Sequence, residues 1–126
     1  MIMIWANTAK TEKKYEVDAA GKSVGRVATE VAKALMGKNF PDYTPNIISL
    51  VKVTVVNAKK MRITEKKRLG KKYTQYSGHP GGLKTETLSS LIGRKGPGEA
   101  VRKAVYRMMP RNTMHTGRMK RLIITD

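Results

Sequence analysis

The sequence of 126 residues contains no cysteine, which excludes a disulfide scaffold, a zinc site built on thiolates and a cysteine nucleophile. Acidic residues are also scarce, because 9 Asp or Glu stand against 26 Lys or Arg and leave a formal net charge of +17. Metabolic enzymes usually carry surfaces of mixed sign, and a hydrophobic content of 40 % disfavours a disordered tail. We therefore expect one compact basic domain whose partner is a polyanion.

The sequence also lacks a long hydrophobic run. The longest apolar stretch, Ile47 to Val56, is interrupted by polar residues and is shorter than the roughly 20 residues of a membrane-spanning helix. The apolar start, Met1 to Trp5, is too short for a signal peptide and has no basic residue before it. We therefore expect a soluble cytoplasmic protein with a single domain over 1–126, in which 1–13 form an N-terminal extension and 14–125 the core.

The positive charge is concentrated in the second half of the chain. Residues 1–58 hold 8 basic and 5 acidic residues, whereas residues 59–126 hold 18 basic and 4 acidic residues. This asymmetry predicts that the first half builds the core and that the second half faces the ligand.

Hydrophobic periodicity predicts alternating strands and helices. Apolar residues recur at helical spacing from Val24 to Leu35, with Ser23 at the N-cap and Gly37 after the last turn. The β-branched run Val51 to Asn57 predicts a strand covered on both faces, as in a parallel sheet. Further strands are predicted at Tyr15–Asp18, Met61–Thr64, Lys72–Tyr76 and Leu122–Thr125, and further helices at Thr87–Ile92 and Pro97–Met109. This pattern is typical of a layered α/β domain.

Candidate catalytic motifs are weak. Gly21-Lys22-Ser23 lies where a phosphate-binding loop would place these residues, but the motif needs a glycine five positions earlier, and that position is Glu16. The two histidines, His79 and His115, have no neighbouring carboxylates or metal-ligand spacing. We therefore expect no enzyme activity, no metal and no cofactor.

The loop Ser77–Lys84 is the most unusual segment, since four of its eight residues are Gly or Pro. Such a loop lets backbone N–H groups approach phosphate oxygens closely. It follows Lys71, Lys72 and Tyr73, so charge and a ring able to stack on a base stand beside it. The alternative is an ordinary mobile loop.

Five groups of residues match one family pattern in order, from about Tyr15 to Ile124. They are Asp18-Ala19-Ala20-Gly21-Lys22 with Gly25-Arg26-Val27-Ala28, Tyr43-Thr44-Pro45, Val55-Val56-Asn57-Ala58, the loop Ser77–Lys84, and Ala104-Val105 with Met108-Met109-Pro110-Arg111-Asn112. Together they resemble the universal large-ribosomal-subunit protein thirteen in its bacterial form.

This resemblance implies a three-layer α/β/α domain around a four-stranded, mainly parallel sheet, with a basic, loop-rich side that faces RNA. It implies a structural constituent of the large ribosomal subunit, located in the ribosome, that binds large-subunit ribosomal RNA, contacts neighbouring ribosomal proteins and supports assembly. Messenger RNA is a further possible partner. By matching positions, the implied RNA contacts are Lys22, Arg26, Ser77, Gly78, His79, Gly81, Gly82, Lys84 and Arg111.

Charge alone adds a second set of candidate RNA contacts. They are Lys66, Lys67, Arg68, Lys71, Lys72, Arg118, Lys120 and Arg121, with Tyr73 added as a stackable ring. The first alternative function is a free-standing nucleic-acid binder without sequence preference. The second is a nucleotide-dependent enzyme, which Glu16 disfavours because it stands where a phosphate-binding loop needs glycine.

The chain departs from the family pattern in three places. Residues 46–51 replace the family's usual Asp-x-Gly-Asp stretch. The family's Leu-Gly-Arg falls on Met114-His115-Thr116, with Gly117-Arg118 two positions later, which leaves open whether Arg118 replaces the family's arginine. The sequence stops at Asp126 without the tail that many members carry, so we expect no contact of the kind that tail makes.

Overall fold

A computed structural model describes residues 12–41 and 43–126, so most of the predicted N-terminal extension lies outside the described residues. In chain order the elements are β1 (Lys13–Asp18), α1 (Val24–Met36), β2 (Val51–Val56), α2 (Glu65–Gly70), β3 (Lys72–Tyr76), β4 (Leu83–Thr87), α3 (Leu88–Lys95), α4 (Pro97–Met108), α5 (His115–Met119) and β5 (Leu122–Ile124). A single 3-10 turn, Ala58–Lys60, follows β2. None of the helices in these ranges is long and apolar enough to cross a bilayer.

The strands form two separate sheets. Strand β2 lies between β1 and β5 and is parallel to both, with Tyr15 opposite Val53 and Val53 opposite Leu122. Strands β3 and β4 form an antiparallel hairpin outside this sheet. The predicted mixed α/β architecture with a parallel sheet is confirmed.

The core lies between the parallel sheet and helices α1 and α4. Val53 and Val55 of β2 are fully buried, as are Leu35 of α1 and Val101 and Val105 of α4. Helix α1 packs both on the sheet and along α4, and it ends at Gly37, whose positive φ of 81° closes the C-terminus through hydrogen bonds to the carbonyls of residues 33 and 34. The predicted helix, its buried face and its glycine stop are confirmed.

The predicted strand at Met61–Thr64 is wrong, and the parallel sheet of the described residues has three strands. This segment bonds to the turn before α1 instead, because the Arg62 N–H donates to the Lys22 carbonyl and the Gly21 N–H donates to the Lys60 carbonyl. Alternation of apolar and polar residues is a local signal, and it does not specify which backbone takes up the hydrogen bonds.

The second face of β2 is covered only in part. Lys52, Thr54 and Val56 on this face are half-buried, and Ile123 beside them on β5 is 48 % exposed. The three-layer arrangement that the resemblance implied is therefore not confirmed. The family's third layer and fourth strand are not seen in these ranges.

The second half of the chain holds two further elements that the sequence pattern did not predict. Glu65–Gly70 forms the short helix α2, whose N-terminus is capped by the Thr64 hydroxyl, which accepts from the Lys67 N–H, and Glu65 lies in its first turn. Strand β4 begins at Leu83, so the last two residues of the predicted glycine-rich loop belong to a hairpin arm.

Replacing Leu35 by Ala should lower the free energy of unfolding by about 2–5 kcal/mol, because it removes a fully buried side chain from the contact between α1 and the sheet. The matched change Ile123→Ala, on the half-exposed face, should cost about 1 kcal/mol. Urea unfolding of both variants measures the difference. Equal losses would contradict the placement of the core on one face of the sheet.

Candidate nucleic-acid interface

The turn between β1 and α1 is held by the Asp18 carboxylate. Its Oδ1 accepts from the backbone N–H of Ala20 and from Nδ2 of Asn57, both at 3.0 Å. These bonds and the charge of nearby Lys22 hold the pKa of Asp18 below its usual value. Asn57 itself has a positive φ of 59°, which an asparagine tolerates. The carboxylate thus ties the end of β2 to the turn that carries Lys22.

This turn opens a first cavity of about 380 Å³ at the N-terminus of α1. Its lining is polar and mostly basic: Gly21, Lys22, Ser23, Arg26, Arg62, Thr64 and Lys67. The first turn of α1 contains no acidic residue, and Ser23 makes no side-chain cap. The N-terminal N–H groups and four cations therefore share one concave surface, an arrangement suited to anionic groups such as phosphate.

A second cavity of about 280 Å³ lies beside α1, between β3 and α4. The ring of Tyr73 forms one wall, and three cations lie over it: Lys103 at 5.0 Å from the ring centroid, Arg107 at 5.4 Å and Lys71 at 5.6 Å. Burial is the main effect on the Tyr73 phenol and raises its pKa, while the charge of Arg107 opposes this. The phenol therefore stays neutral at physiological pH, and its ring holds cations by cation–π attraction.

Lys67 lines both cavities and joins them. We refer to the seven cations that line them as the basic surface: Lys22, Arg26, Arg62, Lys67, Lys71, Lys103 and Arg107. Of these, Lys22 pairs with Glu30 at 3.2 Å. The other six make no ion pair within the described part of the chain, so their charge is available to a polyanion.

The glycine-rich loop forms the exposed tip of the β3–β4 hairpin. Gly78 and Gly81 have positive φ values of 85° and 76°, and Gly82 closes the turn by donating to the His79 carbonyl. A Cβ at Gly82 would collide with the Ser77 hydroxyl. The conformation of the turn therefore requires these glycines, whether or not a ligand approaches the backbone.

An ion pair between α3 and β4 holds the base of the hairpin. Arg94 of α3 donates through Nε and one terminal nitrogen to the two carboxylate oxygens of Glu86, at 3.0 and 2.8 Å. The hydrogen bonds from Arg94 are the main cause of the lowered pKa of Glu86. Lys84 and Tyr73 line a groove that also contains this pair.

The structure brings some of the predicted residues together and separates others. Lys22, Arg26, Lys67, Lys71 and Tyr73 meet at the two cavities, and Ser77, Gly78, His79, Gly81, Gly82 and Lys84 share the hairpin. Lys66, Lys72 and Arg111 are exposed but line neither cavity, and Arg68 on α2 has a buried Nε without a partner. Lys120 and Arg121 line a different groove, with Glu12 and Lys52.

Arg118 is buried, with 2 % of its surface exposed. The prediction that it faces RNA therefore has no support from its position in α5. His115, one helical turn earlier, is also buried and bonds through Nε2 to the Tyr106 carbonyl at 2.9 Å, so its place is structural.

Three residues of the basic surface were missed: Arg62, Lys103 and Arg107. Lys103 and Arg107 stand four residues apart on α4 and so share one helix face, a spacing visible in the sequence. Arg62 was missed because its segment was predicted as a strand, and no sequence pattern indicated that the strand would be replaced by a backbone bond to Lys22.

A small basic α/β domain with cations clustered around its concave surfaces is typical of nucleic-acid-binding proteins. A family model described as ribosomal protein L13 matches residues 12–125. The chain belongs to the ribosomal protein L13 family.

Curated relatives named large ribosomal subunit protein uL13 agree with this assignment. The protein of Aquifex aeolicus is 46 % identical over 110 residues, which cover 87 % of this chain and 76 % of that protein. The protein of Moorella thermoacetica is 41 % identical over 123 residues, covering 97 % and 85 %. The protein of Idiomarina loihiensis is 41 % identical over 108 residues, covering 86 % and 75 %.

Replacing Asp18 by Asn should lower the melting temperature at neutral pH. The neutral amide lacks the negative charge that attracts Lys22 and strengthens the hydrogen bonds from Ala20 and Asn57. Since the folded-state pKa of Asp18 is depressed, its stabilisation is complete above the ordinary value of 3.8 and is lost as pH falls through the lower folded value. Melting curves of both proteins should therefore converge below that pH. A difference that persists unchanged in acid would contradict this role.

Proposed function

We propose that the chain is a structural constituent of the large ribosomal subunit and binds large-subunit ribosomal RNA through its basic surface. The observation that carries this proposal is a set of six cations around two joined cavities, none of which forms an ion pair with residues 12–41 or 43–126. The family is that of a structural ribosomal protein, and the chain is not an enzyme.

Binding through this surface is electrostatic. The cations neutralise phosphates where RNA segments approach one another, and release of condensed counterions drives association. Duplex RNA is then recognised by its shape and by ribose 2′-hydroxyl groups, because side chains cannot read its deep major groove. Such contacts suit a protein that holds folded RNA in place during assembly of the subunit.

The hairpin extends the proposed interface. Its tip offers bare backbone between Gly78 and Gly82, and Lys84 adds one charge on β4. We expect the tip to follow an RNA backbone closely, as the sequence suggested. Lys66, Arg68, Lys72 and Arg111 lie outside the two cavities and are proposed as peripheral contacts, and Lys120 and Arg121 as a separate one.

Ribosomal RNA and neighbouring ribosomal proteins are the partners that the family name supports, with the ribosome of the cytoplasm as the location. Binding to a messenger stays a prediction from the sequence. A free-standing binder without preference is the alternative, and competition between deproteinised large-subunit RNA and bulk DNA distinguishes the two, since only the proposed function predicts a preference for the RNA.

If each cation of the basic surface neutralises one phosphate, the logarithm of the binding constant should fall with the logarithm of salt concentration at a slope of roughly −5 to −6. Lys103→Ala and Arg107→Ala should each reduce the magnitude of that slope by about 1. Filter binding of large-subunit RNA over a range of salt measures both. A slope near zero would exclude electrostatic binding.

Close approach of RNA to the hairpin tip can be tested at Gly81, where a Cβ would meet no atom of the chain within 4 Å. Gly81→Asn keeps the left-handed conformation that asparagine tolerates, whereas Gly81→Val strains it. Both should weaken RNA binding more than Lys84→Ala, which removes a single charge. Equally small effects of all three changes would show that the tip is only a connection.

A further inference from the structure

The cavity beside Tyr73 combines an apolar interior with a basic rim. Its apolar lining residues are Val24, Leu88 and Ala100, which are buried, with Ala104 and the more exposed Met108. Its rim carries Lys67, Lys71, Lys103 and Arg107. Phosphate alone would use the rim and leave the interior unfilled, so the cavity fits a ligand that has both an anionic group and an apolar part.

Gly25 gives an independent indication that something outside the chain enters this cavity. It is the second residue of α1 and lines the cavity, and a Cβ there would meet no atom of another segment within 4 Å. Alanine has a higher helix propensity than glycine. Since nothing in the chain itself excludes a methyl group, a closely approaching partner accounts for the glycine.

We infer that this cavity receives one unstacked base of the RNA, while the rim cations hold the adjoining phosphates. This inference rests on the function proposed above and names the mode of contact at the same surface. A nucleobase is a flat ring with apolar faces, and unstacked bases in RNA loops commonly insert against aromatic and apolar side chains. The four rim cations favour a nucleotide over an apolar side chain from a neighbouring protein, which would carry no matching charge.

Two substitutions add apolar groups to the lining of the cavity without changing charge. Gly25→Ala adds one methyl group from α1, in a helix that alanine stabilises, and Ala104→Leu adds a larger group from α4. Ser89→Leu, at an exposed position of α3 outside the cavity, is the matched control. Circular dichroism melting establishes that each variant folds, and Gly25→Ala keeps the test valid if Ala104→Leu does not.

Binding of the full chain to deproteinised large-subunit RNA is measured over a range of salt. Both cavity-filling variants should bind about tenfold or more weakly with the salt slope unchanged, because every cation remains. Ser89→Leu should bind as the unaltered chain does. This pattern differs from that of Arg107→Ala, which should change the slope.

Ultraviolet cross-linking followed by mass spectrometry locates the contact. The unaltered chain should give nucleotide adducts on the peptide containing Tyr73 or on that containing Met108, and Ala104→Leu should lose them while adducts on the hairpin tip persist. Normal RNA binding by both cavity-filling variants would overturn base insertion and leave the proposed function intact. If the cavity-filling variants bound RNA normally but failed to assemble into the subunit, base insertion would be overturned and a side chain of a neighbouring protein would be the occupant. If the unaltered chain did not bind RNA, the proposed function itself would be overturned.

Discussion

Packing of helix α1 against both the parallel sheet and α4 is the contact on which the rest of the structure depends. The buried face of α1, from Val27 to Leu35, contacts the sheet and α4 in one core. The exposed start of the same helix forms one wall of each cavity, through Arg26 at the first and Gly25 at the second. A single helix therefore fixes both the apolar core and the position of the basic surface.

The charge distribution follows from this arrangement. The core excludes charge on the side of the sheet where α1 and α4 pack. Five cations of the second half lie instead around the two cavities beside α1: Arg62, Lys67, Lys71, Lys103 and Arg107. Lys71, Lys103 and Arg107 are crowded around Tyr73, and their mutual repulsion destabilises the free chain. Bound RNA would remove that repulsion, which explains why a domain this small can carry a net charge of +17.

The sequence predicted what local periodicity encodes. The buried face of α1, the central strand β2 and the helix α4 have strong spacing patterns, and the structure has them at nearly the predicted bounds. It did not predict that Arg62 would lie beside Lys22, because that contact depends on backbone bonds between segments 40 residues apart in the chain. The burial of Arg118 likewise depends on tertiary packing, which the charge of a residue does not reveal.

In the function proposed above, exposed cations of the basic surface hold the chain to the RNA of the large subunit. Sedimentation of the full chain with purified large ribosomal subunits, at increasing salt, tests this most directly. The chain should sediment with the subunits at low salt and leave them as salt rises, and Lys67→Ala, which removes the residue shared by both cavities, should leave at lower salt. A chain that stays at the top of the gradient at every salt concentration would contradict the account.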